Sequence, residues 1–355
     1  MEKRKAIVAM SGGVDSSVAA ALLKEQGYEV AGVTMTIWSG GAAPEMTRRG
    51  CYGPEDEDIQ DARKVAERLQ IPLHIFDLAH EYRVQVLDYV RQEYLRGRTP
   101  NPCVRCNRLI KLDRLISKAR AAGIEFSCVG TGHYARVEKS AQNRRYLLKK
   151  AKDIRKDQSY FLFNLSQEQL GRSLFPLGEY SKNEVRQLAA KFGLTVRDKP
   201  ESQDFVTGSY TSALGIEPHP GPVLDTDGRR LGEHRGIPFY TIGQRKGLGI
   251  AAGKPLYVVD LDRDNNAVTV GLKERLLRNE LTCCELNWIA IDSLEAPITA
   301  QAKIRYSLYE AEAVITPLPE QRAHVKFAEP QMAVTPGQSI VFYRGDLVLG
   351  GGLIE

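Results

Sequence analysis

No stretch of the chain approaches the roughly 20 consecutive apolar residues that a membrane helix needs, and no membrane partner is expected. The N-terminus is charged and then runs straight into an apolar strand, a pattern that predicts no signal peptide and a cytoplasmic protein. Two common nucleotide loops are missing as well. No glycine-rich loop ends in Gly-Lys-Ser/Thr, which excludes a Walker A site, and no G-x-G-x-x-G follows a strand, which excludes the dinucleotide fingerprint. There is no internal repeat and no low-complexity tract. Cysteine is sparse, with six in 355 residues: Cys51, Cys103, Cys106, Cys128, Cys283 and Cys284. In a cytosolic chain of this size a disulfide framework is not expected, which leaves catalysis, metal binding and burial. The formal net charge of +5 permits a polyanionic partner without demanding one.

What is present begins with Val8-Ala9-Met10-Ser11-Gly12-Gly13-Val14-Asp15-Ser16-Ser17. The apolar run from Ala6 to Met10 reads as a buried strand, and Val18, Leu22 and Leu23 carry helical periodicity from Ser16 to Gln26. A glycine turn between strand and helix brings backbone amides and serine hydroxyls to one point, with the positive end of the helix dipole behind them. A phosphate chain is the natural guest of such a cradle. The candidate nucleotide contacts are therefore Ala9, Met10, Ser11, Gly12, Gly13, Val14, Asp15 and Ser16. Asp15 would repel phosphates unless a cation lay between them, which makes it a candidate Mg²⁺ ligand; its plainer role is an acid favoured by the helix N-terminus.

Strands read at 28–36, Leu73 to Phe76 and Phe126 to Val129 alternate with helices near 59–69, Glu81 to Arg96 and from Pro102 onward. This alternation predicts a doubly wound parallel α/β sheet whose ligands sit at the carboxyl ends of the strands. Met35 and Gly132 fall at that edge and join the nucleotide candidates, with simple packing as the other role for Met35. Asn101 is a good N-cap and Pro102 suits the first helical position, so Cys103 and Cys106 share a face near a helix start. That position predicts lowered thiol pKa values. The pair then serves as nucleophiles, as a redox couple, as ligands of a zinc or iron–sulfur site, or as small packing residues. His133 lies in a glycine-bounded loop at the sheet edge and is either a substrate contact or structural, and Lys156 either meets a phosphate or is solvated. Ser181-Lys182-Asn183-Glu184 is a capping box, read as structural. The stretch from Arg197 to Phe205 reads as a polar connector, and Asp225-Thr226-Asp227-Gly228 as a hairpin turn. Tyr240 to Gly249 pairs Arg245 and Lys246 with glycines, which suits phosphate contacts or an exposed loop. Beyond Leu281, alternation in short strands predicts a small barrel in which one of Cys283 and Cys284 faces inward. The expected domains are 1–200, a central β-rich domain at 201–272 and a C-terminal β-barrel at 273–355.

The first motif resembles the pyrophosphate (PP) loop of the N-type ATP pyrophosphatases. Taken with Gly97 to Pro102, Thr131 to Tyr134, Lys156 to Phe161, Gly243 to Gly249 and Thr335 to Ser339, the chain resembles the tRNA-specific 2-thiouridylases nearly end to end. The resemblance implies that ATP adenylates the C2 oxygen of the wobble uridine in tRNAs for Lys, Glu and Gln. Sulfur then replaces that oxygen, and AMP leaves. It implies base contacts from Asn101, Pro102 and Cys103, and tRNA contacts from His133, Lys156, Asp157, Gln158, Arg305 and Tyr306. Gln338 would lie near the substrate, and Cys106 would receive sulfur from a donor protein or sulfide. Two departures stand out. Cys103 occupies a position where many members have Asp. The stretch Glu201-Ser202-Gln203-Asp204-Phe205-Val206 lacks the second catalytic cysteine of the family. One replacement is a [4Fe–4S] cluster on Cys51, Cys103 and Cys106. The other is a Cys106 persulfide resolved by Cys103. Two further function classes stay open: another PP-loop ligase acting on an amide or carboxylate, and a tRNA-binding protein without thiolation activity.

Overall fold

The computed structural model describes residues 4–38, 40, 50–53, 55–197, 199, 204–206, 210–250 and 253–355. The chain forms two compact units. The first comprises Met1–Val86, Cys103–Ser209 and Asp346–Val348; the second comprises Leu87–Pro102, Tyr210–Gly345 and Leu349–Glu355.

The first unit is built on β1 (Lys5–Ala9), whose Ala6, Ile7 and Val8 are buried. Such an apolar run belongs at the centre of a parallel sheet covered on both faces. β1 pairs in parallel with β2 (Glu29–Thr36) on one side and with β5 (Cys128–Gly130) on the other. β4 (Leu73–Asp77) lies outside β2, and β8 (Ser173–Leu174) outside β5, giving the order β4-β2-β1-β5-β8. The chain leaves β1 towards β4 through α1 (Val14–Glu25) and α2 (Asp56–Leu69). It then returns to β5 through the helical run that ends in α6 (Leu115–Ala121). Right-handed crossovers in opposite directions put their helices on opposite faces. The reversal between β1 and β5 is the switch point, where the crevice opens. It brings the turn after β1 and the turn after β5 together.

The long helical run is wound unevenly. α3 (Ala79–Tyr82) leads through a π-helical turn at Arg83–Leu87 to α4 (Asp88–Leu95), which belongs to the second unit. α5 (Pro102–Arg105) continues into a π-helical stretch, Cys106–Arg114, before α6. The apolar stripe predicts the helix, but it does not distinguish α from π winding. The widened turns have a partner: the Gln169 amide donates to the carbonyls of Arg108 at 2.7 Å and Leu112 at 3.1 Å. One further feature was not expected. β3 (Gly50–Tyr52), in the irregular loop, pairs in parallel with β9 (Asp204–Val206), in the polar connector. The remaining elements of this unit are the hairpin β6 (Ala135–Lys139) and β7 (Tyr146–Lys150), with α7 (Ser159–Leu162), α8 (Gln167–Arg172) and α9 (Lys182–Lys191).

In the second unit, β10 (Gly221–Leu224) and β11 (Arg230–His234) form the expected hairpin, with Gly228 at φ +81°. β12 (Tyr257–Asp262) and β13 (Ala267–Gly271) complete a sheet of order β11-β10-β13-β12. β14 (Leu277–Trp288), β15 (Ile298–Lys303), β16 (Ala311–Leu318), β17 (Arg322–Met332), β18 (Ser339–Arg344) and β19 (Leu347–Ile354) form a six-stranded barrel closed by the β14–β19 pairing. Small and branched inward residues fill it, among them Ala300, Ala302, Ala313, Ile315, Val325 and Ile340. Cys283 faces inward as expected: it is fully buried, with its thiol towards the Ala323 carbonyl at 3.5 Å, while Cys284 is half-buried.

Candidate active site

The cradle after β1 is formed by backbone. Met10 donates to the Val33 carbonyl at 2.8 Å, which carries the chain across the edge of the sheet. Gly12 then turns at φ +69°, and a Cβ there would lie 2.2 Å from the Asp58 carbonyl oxygen, so only glycine fits. Gly13 is the N-cap residue of α1, with no side-chain cap. The first amides of α1 are thus left for an anion. The serines brace the turn. Ser16 Oγ accepts from the Ser11 amide at 3.1 Å, and Ser17 Oγ donates to the Gly13 carbonyl at 2.8 Å. Ser16 and Ser17 are buried, and Ser11 is exposed. Gly132, in the turn after β5, packs against this helix start: a Cβ would lie 2.6 Å from the Ser16 nitrogen. Ala9, Met10, Val14 and Met35 support the cradle; Met10 and Val14 are buried, and Met35 is half-buried in register with Phe76.

Asp15 lies in the first turn of α1, where an acid is favoured, and it has close partners of its own. Lys182 Nζ donates to both carboxylate oxygens, at 2.7 and 2.8 Å, and the Tyr134 hydroxyl donates to Oδ1 at 2.8 Å. The cation beside this carboxylate is the protein's own. Lys182 is buried, and its ammonium also lies 5.8 Å from the centre of the Tyr134 ring. The capping box that reads as structural from sequence is real, with Ser181 and Glu184 bonded reciprocally. It also sets Lys182 as the first residue of α9 and so delivers the ammonium to Asp15. Neither Lys182 nor the Tyr134 hydroxyl was singled out from sequence; a lysine next to an N-cap, where the helix dipole disfavours it, was the available signal.

The sulfur-bearing residues occupy the same unit. Cys106 is buried, Cys103 half-buried and Cys51 exposed, and none is in a disulfide. The lowered pKa expected from the helix start is overturned for Cys106. Burial pushes its thiol up to about 11, against the pull of Lys111 and with a small push from Cys51. Burial also pushes Tyr82 well above its ordinary value, with Cys106, Cys51 and Cys103 adding to it. Tyr82 stacks on Tyr52 at 5.7 Å, beside Cys51 in β3. Charge on any of the three cysteines is therefore felt by both Tyr82 and Lys111. Among the described residues no three His, Cys, Asp or Glu side chains are grouped to hold a single metal ion, and Cys51, Cys103 and Cys106 are all free thiols. Cys128 stands apart in β5. Of the stretch lacking the second cysteine, Glu201, Ser202 and Gln203 lie outside the described residues.

His133 is half-buried; Thr131 Oγ1 lies 2.7 Å from Nδ1, and the Phe175 ring stands edge-on at 6.1 Å. Burial, then the charge of Lys111, hold its imidazole neutral, with the pKa down to about 3. Asp157, expected to touch tRNA, has its carboxylate bonded within the protein. It is buried, and its carboxylate accepts from the Ala151 amide at 2.9 Å and the Ser159 hydroxyl at 2.7 Å, which pins the loop. Gln158 accepts from the Tyr134 amide at 3.0 Å, and Lys156 is half-buried in the same loop. The second unit holds Asn101, Pro102, Arg305, Tyr306 and Gln338. There the Gln338 amide donates to the Thr99 carbonyl at 2.8 Å, tying the segment before Asn101 to the barrel. Arg305 donates to Thr335 Oγ1 at 2.9 Å, and Tyr306 is exposed, with Lys303 over its ring at 5.5 Å.

Three family models match in succession: a tRNA methyl transferase HUP domain over residues 4–207, a tRNA methyl transferase PRC-barrel domain over 213–272, and an aminomethyltransferase beta-barrel domain over 278–354. Among curated relatives, a protein of Acetivibrio thermocellus named tRNA-specific 2-thiouridylase MnmA is 48% identical over 363 residues, covering 100% of both chains. One of the same name from Moorella thermoacetica is 51% identical over 356 residues, covering 98% of this chain and 99% of its own. A third, from Clostridium perfringens, is 46% identical over 362 residues, covering 100% of this chain and 99% of its own. With identity of this level over the whole length, and a phosphate cradle at the carboxyl edge of a parallel sheet, the chain belongs to the tRNA-specific 2-thiouridylase family.

Proposed function

We propose that this protein is an ATP-dependent tRNA 2-thiouridine synthase acting on the wobble uridine of tRNAs for Lys, Glu and Gln in the cytoplasm. The observation that carries the reading is the uncapped start of α1 behind the Gly12–Gly13 turn, on a chain related to 2-thiouridylases over its full length. A methyl transfer, as the domain descriptions word it, has no need of a pyrophosphate cradle. An amide-like C2 oxygen is a poor leaving group, and adenylation makes it a good one. The uridine oxygen attacks the α-phosphorus of ATP, and pyrophosphate leaves into amides that stabilise its charge. The base must be out of its stack to present C2. Lys182 shares both oxygens of Asp15 and so supplies a cation at the edge of the cradle where ATP would sit.

For sulfur, the residues support the thiol route. A donor protein or sulfane sulfur source loads Cys106 as a persulfide. The terminal sulfur bonds C2, and the bond from C2 to the AMP-bearing oxygen breaks. Cys103 then attacks Cys106 Sγ. The bond between Cys106 and the transferred sulfur breaks, the electron pair stays with the thiouridine, and a Cys103–Cys106 disulfide is left for a thiol reductant to reopen. The test is nucleoside mass spectrometry on unmodified tRNA incubated anaerobically with chelator-treated protein, Mg-ATP, a polysulfide and a thiol reductant. Formation of 2-thiouridine by the parent, and its loss in Cys106→Ser, is the expected result. Thiolation that appears only after iron is restored overturns the thiol route. Tight tRNA binding with neither AMP nor thiouridine overturns the enzyme reading, and AMP formation independent of tRNA points to a different PP-loop ligase.

A further inference from the structure

Lys111 belongs to none of the motifs above, yet its ammonium is coupled by charge to Cys106, Cys51 and Cys103. In an α-helix, with 3.6 residues per turn, a residue five positions on is about 140° away around the axis. The chain from Cys106 to Arg114 is π-helical, so its hydrogen bonds run from i to i+5 and the wider turn brings the fifth residue round towards the side of the first. The fifth residue after Cys106 is Lys111. The winding that Gln169 stabilises through the Arg108 and Leu112 carbonyls is therefore what turns Lys111 onto the Cys106 side.

The groups acting on Lys111 agree with this placement. Burial pulls its ammonium down, and Cys106, Cys51 and Cys103 more than reverse the effect. In return, Lys111 draws the Cys106 thiol down and helps to keep His133 neutral. Among the described residues no carboxylate figures in these charges; the partners are three thiols. A partly buried cation facing thiols without a carboxylate is costly unless an anion joins it. Neutral imidazole on His133 and neutral phenol on Tyr82 leave that role open for a negatively charged sulfur.

We propose that Lys111 is a positioning residue for the sulfur step: its ammonium, turned over Cys106 by the π-helical stretch, holds the anionic sulfur that Cys106 receives and passes on. This rests on the reading of Cys106 as sulfur carrier. Loading is a sulfane transfer in which the Cys106 thiolate attacks a polysulfide, one sulfur–sulfur bond forms, another breaks, and the shortened polysulfide leaves with the electron pair. The loss of one charge-assisted contact to sulfur slows loading about 10- to 100-fold.

The experiment compares the full-length parent with Lys111→Met and Lys111→Arg. Persulfide on Cys106 is timed with polysulfide as the probe by mass spectrometry of the peptide, and AMP and 2-thiouridine are measured with tRNA and Mg-ATP. Slow loading and slow thiolation in Lys111→Met, with tRNA-dependent AMP formation retained and partial recovery in Lys111→Arg, is the expected pattern. Parental loading in Lys111→Met overturns the proposal. So does equal loss of AMP formation in folded Lys111→Met, which would assign the ammonium to nucleotide or tRNA. If Lys111→Met fails to fold, Lys111→Arg decides: the retained charge must sustain loading, and loss of loading in this folded variant overturns the proposal. Loading needs neither tRNA nor ATP, so a parent that loads sulfur but makes no thiouridine refutes the function while leaving Lys111 under test.

Discussion

Replacing Lys182 tests the buried pair at the cradle. Its side chain is 9% exposed and that of Asp15 is 27% exposed, so the pair is largely, but not wholly, removed from water. Removing one partner of a buried pair costs about 3–5 kcal/mol because the other charge is left unpaired. The remaining exposure of Asp15 places Lys182→Met near the lower end, at about 3 kcal/mol. Asp15→Asn, which strands the more deeply buried ammonium, should cost at least as much. The double variant Asp15→Asn/Lys182→Met removes both charges and should cost less than either single change, since neutral groups of similar volume substitute for buried pairs at little loss. Urea unfolding of the three variants, followed by the transition of the first unit, measures the cycle. A coupling of about 2 kcal/mol or more is expected for groups in direct contact. Additive costs would refute the pairing. The same variants separate two roles for Asp15. If it ligated magnesium, Asp15→Asn would raise the magnesium needed for AMP formation; with Lys182 as its cation, that requirement should not move.

Three further outcomes follow from the geometry. Gly12→Ala places a methyl 2.2 Å from the Asp58 carbonyl at φ +69°; it should cost more than about 2 kcal/mol and abolish ATP-dependent AMP formation, read by melting and nucleotide chromatography. Glu55, which accepts from the Ile37 amide at 2.7 Å, has its carboxyl pushed up to about 7 by burial, against the Ile37 and Trp38 amides. Its folded pKa exceeds its unfolded one, so its contribution is present in full below about 4.5 and is lost as pH rises towards 7; Glu55→Gln should gain stability of about 1 kcal/mol at pH 8, after allowance for partial exposure, and nothing at pH 4.5. A stability difference that does not change with pH would contradict this. Cys103→Ala should still load persulfide on Cys106 and release little free thiouridine, with tRNA trapped on the protein in non-reducing gels.

Local pattern was enough for much of the fold. Ala6 to Val8 is apolar throughout because β1 is central, and α1 carries apolar and small residues from Ser16 to Leu23 because it is buried on every side there. Gly12 and Gly132 were legible because only glycine tolerates such backbone approaches. The reactivity of Cys106 was not. A helix start argues for a stabilised thiolate, but burial of the thiol, which depends on the packed chain, outweighs the local field.

By itself the sequence determined the alternation of strands and helices around β1, the cradle after it, the barrel and the family, because these depend on periodicity and on residue types at short spacing. Only the tertiary structure decided which charge Asp15 meets, which groups surround Cys106, and which face Lys111 takes. Those partners lie far apart along the chain, or depend on helix winding that the apolar stripe leaves open. Burial then sets the protonation of each group, and burial is a property of the packed chain.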